Sequence, residues 1–391
     1  MRILVSANCR VKCTVDGDFW INNQSLIYPF WTRYLDVFDE VGLLLRAEPV
    51  ERIEPGWGKV TGEGVKGIPL PYHPGLIGFM RDLPTTEYRI YRAIREYEAI
   101  QCRLPCHIGS LVVRTLQKGR PYGMELVGDP YMALSPDAYQ HPLQKILRKL
   151  WRYNLQQEVK NAAVAGYVTE KTLQRDYPTD GFSTHFSSVE LSEDLFISTP
   201  RNFDKLHRII SVGNMQNEVK GMDLLIDAVA HLPDTRLDLV GDGEIRPKLE
   251  AQVRSLSMQD RVYFHGYTKS RTELFAMLDQ ADLFALLSRS EGLPRVMIEA
   301  MARGLPAIGT RVGGIPELLP EQCIVEPSDR KSIIQLLQNL AQAPAELNTM
   351  SAQNLTKARE YSQDKLRVRR QQLYTELKKQ TEQWLKKHQH F

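Results

Sequence analysis

From residue 206 onward the chain keeps one rhythm: a short apolar run, then a stretch with helical spacing, then another run. Residues 206–212, 236–240, 262–264, 283–287, 307–309 and 323–325 predict strands. Residues 222–232, 244–256, 270–278, 294–302 and 329–340 predict the helices between them. Apolar strands joined by helices about one crossover long require a parallel sheet covered on both faces. This half therefore predicts a Rossmann-like α/β domain.

The first half follows the same pattern less cleanly, with strands expected at 3–6, 41–46, 99–102, 124–127, 163–168 and 184–189. Residues 48–84 are dense in Gly and Pro and read as loops, while 192–205, polar and carrying Pro200, reads as a linker. A chain of 391 residues is long for one core, and about 150 residues per domain is usual. The expected division is residues 1–200 and 201–361, with a C-terminal helix at 362–391 packing back on the first domain. Two doubly wound domains in tandem place a ligand cleft between the carboxyl ends of their sheets.

Charge excludes one class of partner. Lys plus Arg minus Asp plus Glu is 50 − 47, or +3, too little to argue for nucleic acid. The start, Met1 to Ser6, is apolar too briefly for a signal peptide and reads as a first strand. No apolar run approaches the roughly 18 residues of a membrane span, so a cytoplasmic protein is expected, at most peripheral on a membrane. Five cysteines, an odd number, suit a reducing compartment. Cys9/Cys13 and Cys102/Cys106 share a C-x3-C spacing that fits buried thiols better than structural zinc.

The most informative segment runs from Ser288 to Ala302. Pro294 suits a first helical turn, so Glu291 and Gly292 sit in the loop before a helix whose first amides favour an anion such as a diphosphate. Glu299 lies five residues further in, about 8 Å along the axis. The two acids are spaced to hold different parts of one long ligand and not to share one bond. Spacing alone equally allows two solvated helix-terminus carboxylates. Gly213 and Asn214 follow the first strand of this half, and Lys220-Gly221 opens the next helix. A lysine and free amides there make a compact phosphate pocket, although a lysine near a helix start is commonly a solvated surface residue. Gly313-Gly314 after the strand at 307–309 lets the backbone approach a ligand closely.

Together these segments resemble the retaining glycosyltransferases of family 4, which share the two-domain GT-B fold. The E-x7-E hallmark is matched by Glu291 and Glu299 within S-E-G-L-P-x-V-x-I-E-A-M-A. The companions K-G, L-V-G-D-G, F-H-G-Y and G-T-x-V-G-G-I-P-E-L follow in family order. The likeness is close over residues 206–326 and only general in the first half. It implies α/β architecture with two Rossmann-like domains across a cleft, and a nucleotide-sugar donor with a saccharide acceptor. By that resemblance Glu291 contacts donor-sugar hydroxyls, amides of Gly292 and Leu293 bind phosphate, and Glu299 holds the ribose. Lys220 would neutralise the departing diphosphate beside Gly213 and Asn214. Gly241, Gly243 and the stretch His265, Gly266 and Tyr267 would border the base. No metal and no cofactor is implied. The expected acceptor is lipid-linked, in surface polysaccharide or glycolipid synthesis.

Three positions depart from the family. Asn214 stands where an arginine usually shares the diphosphate. Asn8-Cys9-Arg10 stands where many members have a Gly-Gly loop after the first strand. Gly128-Asp129 replaces a His-Asp pair, leaving Asp129 as a candidate acceptor contact or base, or as a turn residue beside Pro130. These departures keep alternatives open: a GT-B nucleotide-sugar epimerase, or a non-catalytic sugar-nucleotide-binding subunit. Asp16-Gly17-Asp18 has the D-x-D form of metal-dependent transferases but reads as a two-acid loop. His107 reads as an ordinary turn or cleft-edge histidine. Two basic amphipathic stretches, 143–155 and 365–387, suit an anionic membrane surface. The second equally suits packing back on the first domain.

Overall fold

A computed structural model describes residues 1–72, 75–129, 144–268 and 270–388. The first apolar run forms β1 (Arg2–Cys13), which turns back through Gly17 into β2 (Phe19–Ile21). β3 (Glu40–Pro49), β4 (Gly58–Lys59), β5 (Val65–Pro71), β6 (Ala99–Leu104), β7 (Gly123–Leu126), β8 (Val164–Tyr167) and β9 (Phe182–His185) complete one sheet. Its parallel strands run in the order β5-β3-β1-β6-β7-β8-β9. Their centre is fully buried, with Ile3, Leu4, Leu43 and Leu44 among its largest enclosed side chains.

Two expectations fail here. β1 does not end at residue 6; it shifts register against β3 between Ser6 and Arg10 and continues to Cys13. Asn8, Cys9 and Arg10 are therefore strand residues and not a loop. The Gly/Pro-rich stretch 48–84 contains a full strand, β5, and the start of the helix Gly75–Glu96. Proline is tolerated in β5 because this strand is a sheet edge bonded only to β3. Gly67 is needed for packing, since a Cβ there would come within 2.7 Å of the Phe19 ring.

The chain divides into two compact units, one of residues 1–168, 173–186 and 368–391, the other of residues 169–172 and 187–367. The C-terminal helix Gln363–His388 thus begins in the second unit and ends in the first. Its apolar stripe is consumed there: Leu373, Tyr374, Leu377 and Thr381 are wholly buried. The Tyr374 hydroxyl donates to Glu125 Oε1 at 2.9 Å, beside Tyr34 at 2.8 Å, while Arg103 donates to Glu125 Oε2 at 2.9 Å. A carboxylate this deep is tolerable only with such a full set of donors.

The second unit holds β10 (Arg208–Val212), β11 (Arg236–Val240), β12 (Val262–Gly266), β13 (Leu283–Leu286), β14 (Ala307–Thr310) and β15 (Ile324–Val325). All six are parallel, in the order β12-β11-β10-β13-β14-β15. Counted within the unit this is 3-2-1-4-5-6, the dinucleotide-fold order. The order reverses between β10 and β13, the point at whose carboxyl ends open α/β sheets hold ligands. Residues 192–205 pack on this unit: Arg201 Nη2 donates to Ala281 O and the Phe203 amide to Asn348 Oδ1, both at 2.6 Å.

Candidate active site

The carboxyl ends of β10 and β13 carry the two side chains that the sequence singled out first. Lys220 closes a short 3-10 turn, Glu218–Lys220, and Gly221 follows in the left-handed conformation at φ +67°. Gly221 must be glycine for space as well, because a Cβ would stand 2.0 Å from Leu287 O at the end of β13. That close approach sets the Lys220 ammonium 2.6 Å from Glu291 Oε1. Ser288, fully buried, donates to the same oxygen at 2.8 Å. Lys220 and Glu291 come from segments 71 residues apart, so only the reversal of strand order brings them together.

The glycine motifs build the platform under this pair. A Cβ on Gly241 would lie 1.9 Å from Gly213 O, and one on Gly243 would lie 2.3 Å from the Met215 backbone. Backbone hydrogen bonds join the same loops, Gly213 N to Val240 O at 2.9 Å and Met215 N to Asp242 O at 2.8 Å. Gly313 and Gly314 press on the Glu291 loop in the same way: Gly314 N donates to Gly292 O at 2.6 Å, and a Cβ on Gly313 would meet Glu291 O at 2.1 Å. These glycines let loop backbones touch one another. Gly213 also flanks the Lys220 stem, with a Cβ there 3.0 Å from Lys220 Cγ.

Glu299 occupies a different environment. It lies on the helix Arg295–Ala302, largely buried, and its nearest cation is Arg271 Nη2 at 3.8 Å. Burial pushes its carboxyl above the usual range, opposed by the positive charges of Arg271 and Arg295. Gly292 is half-buried and Leu293 buried in the turn ahead of that helix, and the Asn214 side chain is exposed.

Other expected site residues have partners of their own. His265 Nε2 bonds Oδ1 of the buried Asp238 at 2.6 Å, and Arg208 and Arg236 also bind that carboxylate. Its imidazole is thereby committed to the buried Asp238 carboxylate, although the residue itself is exposed. Gly266, at φ +70°, accepts from Gly241 N at 2.8 Å, and the Tyr267 hydroxyl donates to Asp242 O at 3.0 Å. In the first unit Asp129, just past β7, receives the Tyr177 hydroxyl at 2.8 Å. Asp18 of the D-x-D loop is held by Lys59 at 2.7 Å and Thr61 at 2.8 Å. All five cysteines are free thiols, and Cys9, Cys102, Cys106 and Cys323 are buried.

Sequence reasoning missed two supports. Ser288 orients Glu291, and nothing in the spacing separates it from Ser290; only its burial does. Arg289 forks onto Asp223 at 2.9 and 2.7 Å, and its amide donates to Val219 O at 2.7 Å. These bonds tie the Glu291 loop to the Lys220 turn.

Two parallel-sheet domains of this kind, with a final helix that ends on the first, define the GT-B architecture. Within it, residues 207–343 match the family described as Glycosyl transferases group 1, so the second unit carries a domain of that family. Protein CapJ of Staphylococcus aureus is 25% identical over 331 residues, 79% of each chain. The N-acetyl-alpha-D-glucosaminyl L-malate synthase of Bacillus anthracis is 32% identical over 187 residues, 44% of this chain and 47% of that one. Among solved structures, HepE of Anabaena in complex with UDP matches with a TM-score of 0.66 at 16% identity, covering 97% of this chain and all of that one.

Proposed function

We propose that this protein is a retaining glycosyltransferase that moves a sugar from a nucleotide-sugar donor to a saccharide acceptor. The observation that carries the reading is the Lys220–Glu291–Ser288 cluster at the strand-order reversal of a group 1 domain. Breaking the bond between the sugar's anomeric carbon and the diphosphate builds negative charge on the leaving oxygens. Lys220, held by its turn, offsets that charge where it develops. Glu291 grips hydroxyls of the transferred sugar, and Glu299 holds the ribose at the donor's other end. The acceptor hydroxyl attacks from the face the diphosphate leaves, and its proton passes to a leaving phosphate oxygen. The chemistry then needs neither a protein nucleophile nor a metal. HepE, crystallised with UDP, supports a nucleotide donor.

The acceptor in this reading is lipid-linked, in the synthesis of a surface polysaccharide or glycolipid on the cytoplasmic side of a membrane. No described helix is long and apolar enough to cross a membrane. The helix Gln144–Lys160 supports peripheral contact: Ile146, Leu150 and Tyr153 are exposed among Arg148, Lys149 and Arg152. Leu143, expected on the same face, lies outside the described residues.

The direct test is nucleotide release from UDP-, GDP- and ADP-sugars by the purified protein. One donor is expected to be hydrolysed slowly. Lys220→Ala and Glu291→Ala should each slow turnover by roughly a hundredfold or more. Donor binding without turnover, even with membrane extract as acceptor, would make the chain a binding subunit instead.

A further inference from the structure

An arginine buried without an acid marks a second place in the molecule. Arg46 on β3 is 8% exposed. Its Nη2 donates to Asn8 Oδ1 at 2.6 Å, and its enclosed Nε has no partner. The residue in register with it on β1 is Arg10. Paired residues of neighbouring strands leave the same face of a sheet, and like charges placed so repel. Arg10 is exposed, with its guanidinium 5.9 Å from the centre of the Tyr72 ring. Among the described residues, no carboxylate lies within ion-pair distance of either arginine. Burial and the charge of Arg10 both work against the charge on Arg46.

The surroundings add positive potential. The nine-residue helix His107–Thr115 has Cys106 at its N-cap, and the Cys106 thiol and the Arg46 guanidinium influence each other's charge. The β1–β3 pair that carries the two arginines adjoins the point where the first sheet reverses its order, between β1 and β6, and open α/β sheets hold ligands at such a point. A buried cation with an unused donor, a second arginine beside it and a helix start together need an anion to be stable.

We infer that Arg10 and Arg46 form a binding site for an anionic group, a phosphate or carboxylate, at the carboxyl edge of the first sheet. In the transferase proposed above, that group belongs to the acceptor. This use rests on that reading, whereas binding of the anion does not.

The test is calorimetric titration of the full-length protein with inorganic phosphate and, separately, succinate. At least one should bind saturably, and which one does separates a phosphorylated ligand from a carboxylated one. Arg10→Ala, at an exposed position, should weaken that binding about tenfold or more, and Arg46→Met at least as much. Arg46→Lys should recover part of the loss, and the unfolding midpoint of Arg10→Ala should match the parent. No binding of either probe by the parent protein, or equal binding by parent and Arg10→Ala, would overturn the assignment. Neither result depends on whether any sugar is transferred, so a failed donor assay leaves this outcome legible.

Discussion

Lys220 and Glu291 sit 2.6 Å apart and neutralise each other, while Ser288 fixes the carboxylate from behind. A pyrophosphate entering beside them would compete for the ammonium and free part of the carboxylate for sugar hydroxyls. The contact therefore holds both side chains in place. Glu299 is the opposite case, a carboxyl raised from its ordinary value of 4.5 by burial. A carboxyl that holds its proton more tightly in the folded chain stabilises the fold fully below the unfolded pKa. That contribution is lost as pH rises through the folded pKa. Glu299→Gln removes the titration. Its unfolding midpoint should equal or exceed the parent's at pH 7.5, with the gap closing below about pH 4.5. If Glu299 holds the ribose, the same variant should raise the donor KM. A lower midpoint at pH 7.5 would show that the carboxylate is better satisfied than its burial implies.

At the scale of elements, the site is a stack of turns, each following a strand of the second sheet and each touching the next through backbone. Gly313 is the instance that touches the Glu291 loop, at φ +50° with Glu291 O 2.1 Å from where a Cβ would be. Alanine there must move the Glu291 loop or distort its own turn. Gly313→Ala should cost about 1–3 kcal/mol in denaturant unfolding and reduce transfer with little change in secondary structure by circular dichroism. An unaffected variant would mean that the loop slides freely, and that the pair depends on Arg289 and Asp223 for its position. The motif L-V-G-D-G is explained on the same terms: its glycines admit the turn after β10.

On the scale of the whole molecule, the C-terminal helix belongs to both units by sequence and completes the core of the first through Tyr374 and its neighbours. Its apolar stripe is thus already used. Of the two basic amphipathic helices, Gln144–Lys160 keeps three exposed large apolar residues, Ile146, Leu150 and Tyr153, among its cations, whereas the C-terminal helix exposes Val368 alone among the described residues. Vesicles containing phosphatidylglycerol should therefore bind the protein in a salt-sensitive way. Arg148→Glu with Lys149→Glu should abolish sedimentation with vesicles, whereas Lys386→Glu with Lys387→Glu in the C-terminal helix should alter it little. The reverse ranking would move the membrane contact to the C-terminal helix.

The alternation of apolar runs with helical stretches was enough to determine a parallel sheet in the second half, because buried strands and one-turn-back crossovers leave little other choice. The ordered glycine, lysine and glutamate motifs could be read along the chain for a similar reason: they are local, each within one strand–turn–helix. What local pattern does not contain is distance between segments. The Lys220–Glu291 contact, the Ser288 hydroxyl behind it and the commitment of His265 to Asp238 depend on which strands become neighbours. β5 escaped notice because an edge strand tolerates the prolines that elsewhere break strands. The unpaired Arg46 beside Arg10 is invisible along the chain, since 36 residues separate two side chains that only sheet register sets side by side. Sequence decided the elements; the register and order of the sheets decided which charges meet.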